Sequence, residues 1–230
     1  MPKNNYFSEL KRYFFELIVI VTGISISFMA QNWREASASR KLEIQTLERI
    51  HADLAADTAA MHSSLQLVDL IVRGAKVILT SGAEITANDS LNMFLLTQLN
   101  FSWFEKTDIG YQALKQRGGS GLISNKELSE MIIRQYAINY PGYEAWFETD
   151  RTFLLDQYMP FFHRSFPYLN DYAGNWEKVE PVVRSDEFRN LLRSNVIIKS
   201  QVANIFRTGI ASATELMQAI EDELDKIEQD

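Results

Sequence analysis

The chain has 230 residues, of which 46% are hydrophobic, and a net charge of −7. That length suffices for one well-buried core, and the hydrophobic fraction sets the chain apart from disordered sequences. The acidic balance and the lack of any Lys/Arg block argue against a nucleic-acid partner. The absence of cysteine excludes disulfides, thiolate metal sites and a cysteine nucleophile.

Residues 1–12 form a short polar tail with Lys3, Lys11 and Arg12. Residues 13–33 read as a transmembrane helix. Phe14 to Ala30 is apolar but for Glu16 and a few Thr, Ser and Gly residues, and the segment is long enough to cross a hydrocarbon core of about 30 Å. Tyr13 and Trp33 bracket it where interfacial aromatics belong. Glu16 lies about one helical turn from the interface, so its carboxylate either reaches headgroups or water or is protonated. A second reading is a packing face. Glu16, Gly23 and Ala30 recur every seven residues, and Ser27 follows Gly23 by four, so small and polar side chains share one side. A small-xxx-small pair lets two membrane helices approach closely, which predicts self-association.

Two rivals to an anchor stand beside it. Ala36-Ser37-Ala38 has the look of a signal-peptidase site, but the apolar run is long for a signal peptide and Arg34 and Glu35 intervene. A buried core helix conflicts with the unbroken apolar circumference. For orientation, Lys3, Lys11 and Arg12 on the short side balance Arg34, Arg40 and Lys41 on the long side. A short basic tail before an uncleaved span favours the tail inside and the domain outside the cytoplasm.

Residues 34–230 read as a helical domain. A long helix is predicted over about 38–80, with Leu47, Leu54, Met61, Val68 and Ala75 at sevens and Ile50, Leu65, Val72 and Leu79 widening the stripe. No breaker separates it from the span, and Ser81-Gly82 ends it. Asp89 or Ser90 caps a helix predicted to reach Phe104, and a short helix follows from Asp108 to Arg117. Gly118-Gly119-Ser120-Gly121 reads as a turn; it lacks the lysine and preceding strand of a phosphate loop. Ser124 and Glu127 form a capping box for a helix carrying Leu128, Met131, Ile132, Gln135 and Tyr136, which Pro141-Gly142 breaks or kinks. Tyr143 to Phe162 is helical and aromatic-rich. Residues 163–184 are expected to be a loop over the bundle end. Ser185 caps a final long helix over 185–227 that pairs antiparallel with the first. The fold class expected is all-α: a membrane helix continuous with a long helix, then an antiparallel helical bundle.

Two stretches carry a resemblance. One is Glu16-Leu17-Ile18-Val19-Ile20-Val21-Thr22-Gly23-Ile24, continuing to Asn32-Trp33-Arg34-Glu35. The other runs from Tyr111-Gln112-Ala113-Leu114-Lys115 through Gly121-Leu122-Ile123-Ser124-Asn125-Lys126-Glu127-Leu128 to Gln135-Tyr136. Together they resemble a bacterial family catalogued as a domain of unknown function, with a short tail, one membrane helix and a helical domain. Gly118-Gly119 departs from that family's usual Ser-Gly turn. The resemblance implies a bacterial inner-membrane protein and supplies no catalytic residue.

No catalytic, metal or cofactor constellation is found. Glu48 and His51 have the spacing of one half of a di-metal carboxylate site, but no second Glu-x-x-His exists, and His51, His62 and His163 form no zinc motif. Two functions compete. One is a membrane-anchored assembly component acting as a homo-oligomer with a possible protein partner. The other is an extracytoplasmic sensor or small-ligand-binding bundle, whose candidate binding surface is Trp146, Phe153, Tyr158 and Trp176. Neither calls for a cofactor, and an enzyme is not expected.

Overall fold

The computed structural model describes residues 6–80, 89–166 and 175–229. Among these residues the regular structure is helical, with no strand. Helix α1 spans Tyr6–Thr80 without interruption, and at 1.5 Å per residue it is about 112 Å long. Its N-terminal part contains a window long and apolar enough to cross a membrane, none of it buried by the rest of the chain. From Tyr13 to Lys41 every side chain of α1 is exposed. Burial begins at Leu42, and the residues at sevens (Leu47, Leu54, Met61, Val68 and Ala75) are then all within 1% of full burial. Ser81-Gly82, the expected stop, lies outside the described residues.

Helix α8, Asp186–Gln229, runs back along α1. The contacts descend in α8 as they ascend in α1: Arg40 bonds the Ile227 carbonyl, His51 the Glu221 carboxylate, Asp69 pairs with Arg207, and Arg189 donates to the Leu79 carbonyl. As expected, Ser185 caps α8, its hydroxyl accepting from the Phe188 N–H at 3.2 Å.

Between them lie α2 (Asp89–Thr97), α3 (Ile109–Gln116), α4 (Lys126–Arg134), α5 (Tyr140–Phe153), α6 (Met159–Ser165) and α7 (Trp176–Arg184). Helix α2 stops seven residues short of the predicted Phe104, and the chain continues without regular structure to Asp108. The cap of α4 is Asn125, whose side chain accepts from the Leu128 N–H, and not Ser124, whose N–H and hydroxyl both donate to Glu43. Pro141-Gly142 does not break the chain's helical course. A π turn over Gln135–Asn139 precedes it, in which the Tyr140 N–H bonds the Gln135 carbonyl. A second π turn, Leu154–Tyr158, precedes Pro160 in the same way, closed by the Met159 N–H on the Leu154 carbonyl. The wider turn accommodates a ring that would clash with the carbonyl four residues back. Residues 176–184, expected in a loop, are helical despite Pro181. Residues 167–174 lie outside the described residues.

The buried apolar residues form two clusters. The first joins α1 from Leu47 to Val68 with α3, α4, the start of α5 and α8 from Val202 to Ile220. The second joins Ala75 and Ile78 with α2, the end of α5, α6, α7 and the start of α8. Between them sit the buried polar residues Gln98, Asp150, Asn195 and Lys199.

Candidate functional site

Two regions carry features that packing alone does not require. The first is the bare face of α1. Glu16, Gly23, Ser27 and Ala30 are all exposed. The Ser27 hydroxyl donates to the Gly23 carbonyl at 2.9 Å, which satisfies it within the helix. A Cβ placed on Gly23 would meet nothing within 4 Å, so the notch at this position is open.

The second is the irregular segment 98–108. It runs alongside α1 in the opposite direction: the Gln98 side chain donates to the Ile71 carbonyl, the Trp103 carbonyl faces Ser64, the Thr107 N–H donates to Asp57, and the Gly110 N–H to Asp53. An irregular backbone must place its polar groups somewhere. Here side chains from three long helices take them. From α1, Asp57 accepts from Thr107 at 2.7 Å and from the Tyr140 hydroxyl at 2.6 Å, and Asp53 accepts from Gly110 at 2.6 Å. From α5, Asp150 accepts from the Ser102 N–H at 2.9 Å. From α8, Lys199 donates to the Asn100 carbonyl and to Asp150, each at 2.7 Å. Both partners of that ion pair are 0% exposed.

Burial dominates the acid–base chemistry of this region. It pushes the Asp57 carboxyl above its ordinary value, against the bonds from Tyr140 and Thr107. It pushes the Tyr136 and Tyr140 hydroxyls up, with nearby carboxylates adding to the effect. It lowers the Lys199 ammonium, opposed by Asp150. Gly110 is fixed by close approach. An added Cβ would lie 2.7 Å from the Ile50 backbone nitrogen, so α3 can touch α1 only through glycine.

The pinned segment alternates. Ser102 and Phe104 are buried, whereas Phe101 is 40% and Trp103 63% exposed. Between it and α5 lies a cleft of about 470 Å³, walled by Phe101, Trp103 and Phe104 on one side and by Phe147, Glu148 and Arg151 on the other. Glu144 and Ser102 also line it. The four aromatic residues expected to form a binding surface do not come together there. Phe153 and Tyr158 are core residues of the second cluster, Trp176 packs against that cluster half-buried, and of the four Trp146, on α5, is the exposed one. His51 pairs with Glu221 and not with Glu48. Among the described residues no group of His, Cys, Asp or Glu is placed to hold a metal ion.

Sequence reasoning missed the pinned segment because its apolar residues keep helical spacing. One signal was available: Glu43, Asp53 and Asp57 fall among the core positions of the α1 stripe, where a carboxylate must find a partner. No protein-family model, curated protein or solved structure matches the chain.

Proposed function

We propose that this chain is a single-pass, membrane-anchored interaction protein that works as a homo-oligomeric assembly component, with no catalytic role. Residues 13–33 span the membrane, and residues 34–230 form an antiparallel helical bundle beyond it. The observation that carries this reading is the unbroken course of α1, which passes from a bare apolar segment straight into the core. A helix whose first part is unburied and apolar has a natural solvent in lipid. The same helix then supplies one wall of the core, so a partner gripping the span also grips the domain. The resemblance noted above implies a bacterial inner membrane, and the basic tail favours a domain outside the cytoplasm.

The face Glu16, Gly23, Ser27 and Ala30 is the contact between copies. Gly23 leaves room for a neighbouring backbone, Ser27 is already satisfied, and Glu16 gains a protein environment in place of lipid. The chain has no cysteine, so single cysteines placed along 16–30 are unique in it. Oxidative cross-linking in bilayers should peak at 16, 23, 27 and 30 and fall between them. Equal cross-linking around the helix, or none, would refute self-association through this face.

A further inference from the structure

We propose that the cleft between the pinned segment and α5 binds a neutral, largely apolar small molecule. Its walls are aromatic: Phe101 and Trp103 at the mouth, Phe104 and Phe147 deeper. Its volume, about 470 Å³, lies in the usual range for small-ligand sites.

Charge decides the class of ligand. Three ionic residues line the cleft, Glu144, Glu148 and Arg151, and each carboxylate already holds a cation: Glu144 pairs with Lys106, which is outside the lining, and Glu148 with Arg151 at 3.1 Å. An ionic ligand would have to displace one of these partners and would gain no net charge complementarity. A neutral ligand leaves both pairs intact and buries the aromatic faces. Ser102 lines the cleft through its backbone side, and its buried hydroxyl finds no hydrogen-bond partner among the described residues.

The site is also preorganised. The backbone beneath Phe101 and Trp103 is fixed on both flanks by Lys199 and Asp150 and by Asp57, so these side chains are held out from the core before any ligand arrives. A preformed wall spares a ligand the entropy of ordering it. This makes Lys199 and Asp150 positioning residues for the aromatic wall, without contact to the ligand.

Benzophenone, neutral and itself photoreactive, is a suitable probe with the full chain in lipid nanodiscs. Adducts mapped by peptide mass spectrometry should fall on residues 101–104 and 144–151 and saturate with concentration. They should drop about ten-fold in a Phe101→Ser, Trp103→Ser variant, the loss expected from removing two aromatic contacts. Both side chains are exposed, so the thermal midpoint should hold; Ile138→Ser, an exposed residue outside the cleft, is the control. A benzophenone carrying a trimethylammonium group should label the cleft about ten-fold less. Labelling that does not saturate, that survives the double substitution, or that falls only on residues 13–33 would overturn the proposal. Equal labelling by the cationic probe would overturn its neutral character. If the double substitution fails to fold, Phe147→Trp serves instead: it should reduce labelling by filling the cleft, and undiminished labelling would count against the site. If the aromatic substitutions alter the mass of the assembly and leave labelling unchanged, the surface is a protein contact and the ligand assignment fails.

Discussion

Lys199 sits where the α8 stripe calls for an apolar residue, and it is among the largest fully buried side chains. An ammonium there is tolerable only because Asp150 and the Asn100 carbonyl complete its coordination. Removing one partner should therefore cost more than removing both. Lys199→Met leaves the Asp150 carboxylate buried without its cation and should cost about 3–5 kcal/mol in chemical denaturation. Adding Asp150→Leu removes that stranded charge and should recover part of the loss, although the Ser102 N–H then lacks its acceptor. If the double variant were as unstable as the sum of the two singles, the pair would not be electrostatically coupled. None of this is visible in the chain order, because the partners lie 49 residues apart. A lysine at a helical position reads as a solvated face until its partner is located.

At the scale of elements, the long helices were legible and the short irregular pieces were not. The α1 stripe places an apolar residue every seven positions at Leu47, Leu54, Met61, Val68 and Ala75, and all five are buried. That signal is cumulative and local, so no distant contact could overrule it. The end of α2 is a different case. Leu99 and Phe101 continue its apolar spacing, but Lys199, Asp150 and Asp57 capture the backbone of this segment from elsewhere in the chain. Tertiary hydrogen bonds override periodicity there, and with them goes the site, since Phe101 has the spacing of a core residue in a helix that ends at Thr97. The prolines mislead in the opposite sense: Pro141 and Pro160 are accommodated by the π turns before them, and the helical course survives.

The bare and buried parts of α1 should respond oppositely to the same insult. Ser37 and Ala56 are both exposed positions of one helix. Ser37→Pro falls at an exposed position before burial begins at Leu42, so it should kink the helix between its bare apolar segment and its buried part while leaving the thermal midpoint unchanged. Ala56→Pro lies beside Asp53 and Asp57, which hold Gly110 and Thr107. It should cost about 3 kcal/mol or more and lower the midpoint clearly. The paired comparison is read by circular dichroism and thermal scans. A Ser37→Pro domain as unstable as the Ala56→Pro one would mean that residues 33–41 are part of the cooperative fold.

For the whole molecule, the polar layer divides the core. On α1 it falls between Val68 and Ala75, on α5 between Phe147 and Phe153, and on α8 between Leu192 and Val202. Gln98, Asp150, Asn195 and Lys199 are buried there beside the apolar Ile71, and the Asn195 amide donates to Gln98 at 3.1 Å. Apolar burial drives cooperativity, and a layer held by directional bonds transmits it less well. The two clusters should then act as separate units in native-state hydrogen exchange. Phe162 is fully buried in the second cluster, stacked on Tyr158 and Phe166, and Phe206 is fully buried in the first, stacked on Phe147. Truncating either to alanine should cost about 3–5 kcal/mol. Phe162→Ala should speed exchange in α6, α7 and the start of α8 while residues 202–220 keep their protection. Phe206→Ala should do the reverse. Exchange accelerating equally in both halves, for either substitution, would show that the polar layer couples the clusters into one cooperative unit. Localised change would mean that the half nearer the bare apolar segment of α1 can stay folded while the half beyond it opens, with α1 running through both.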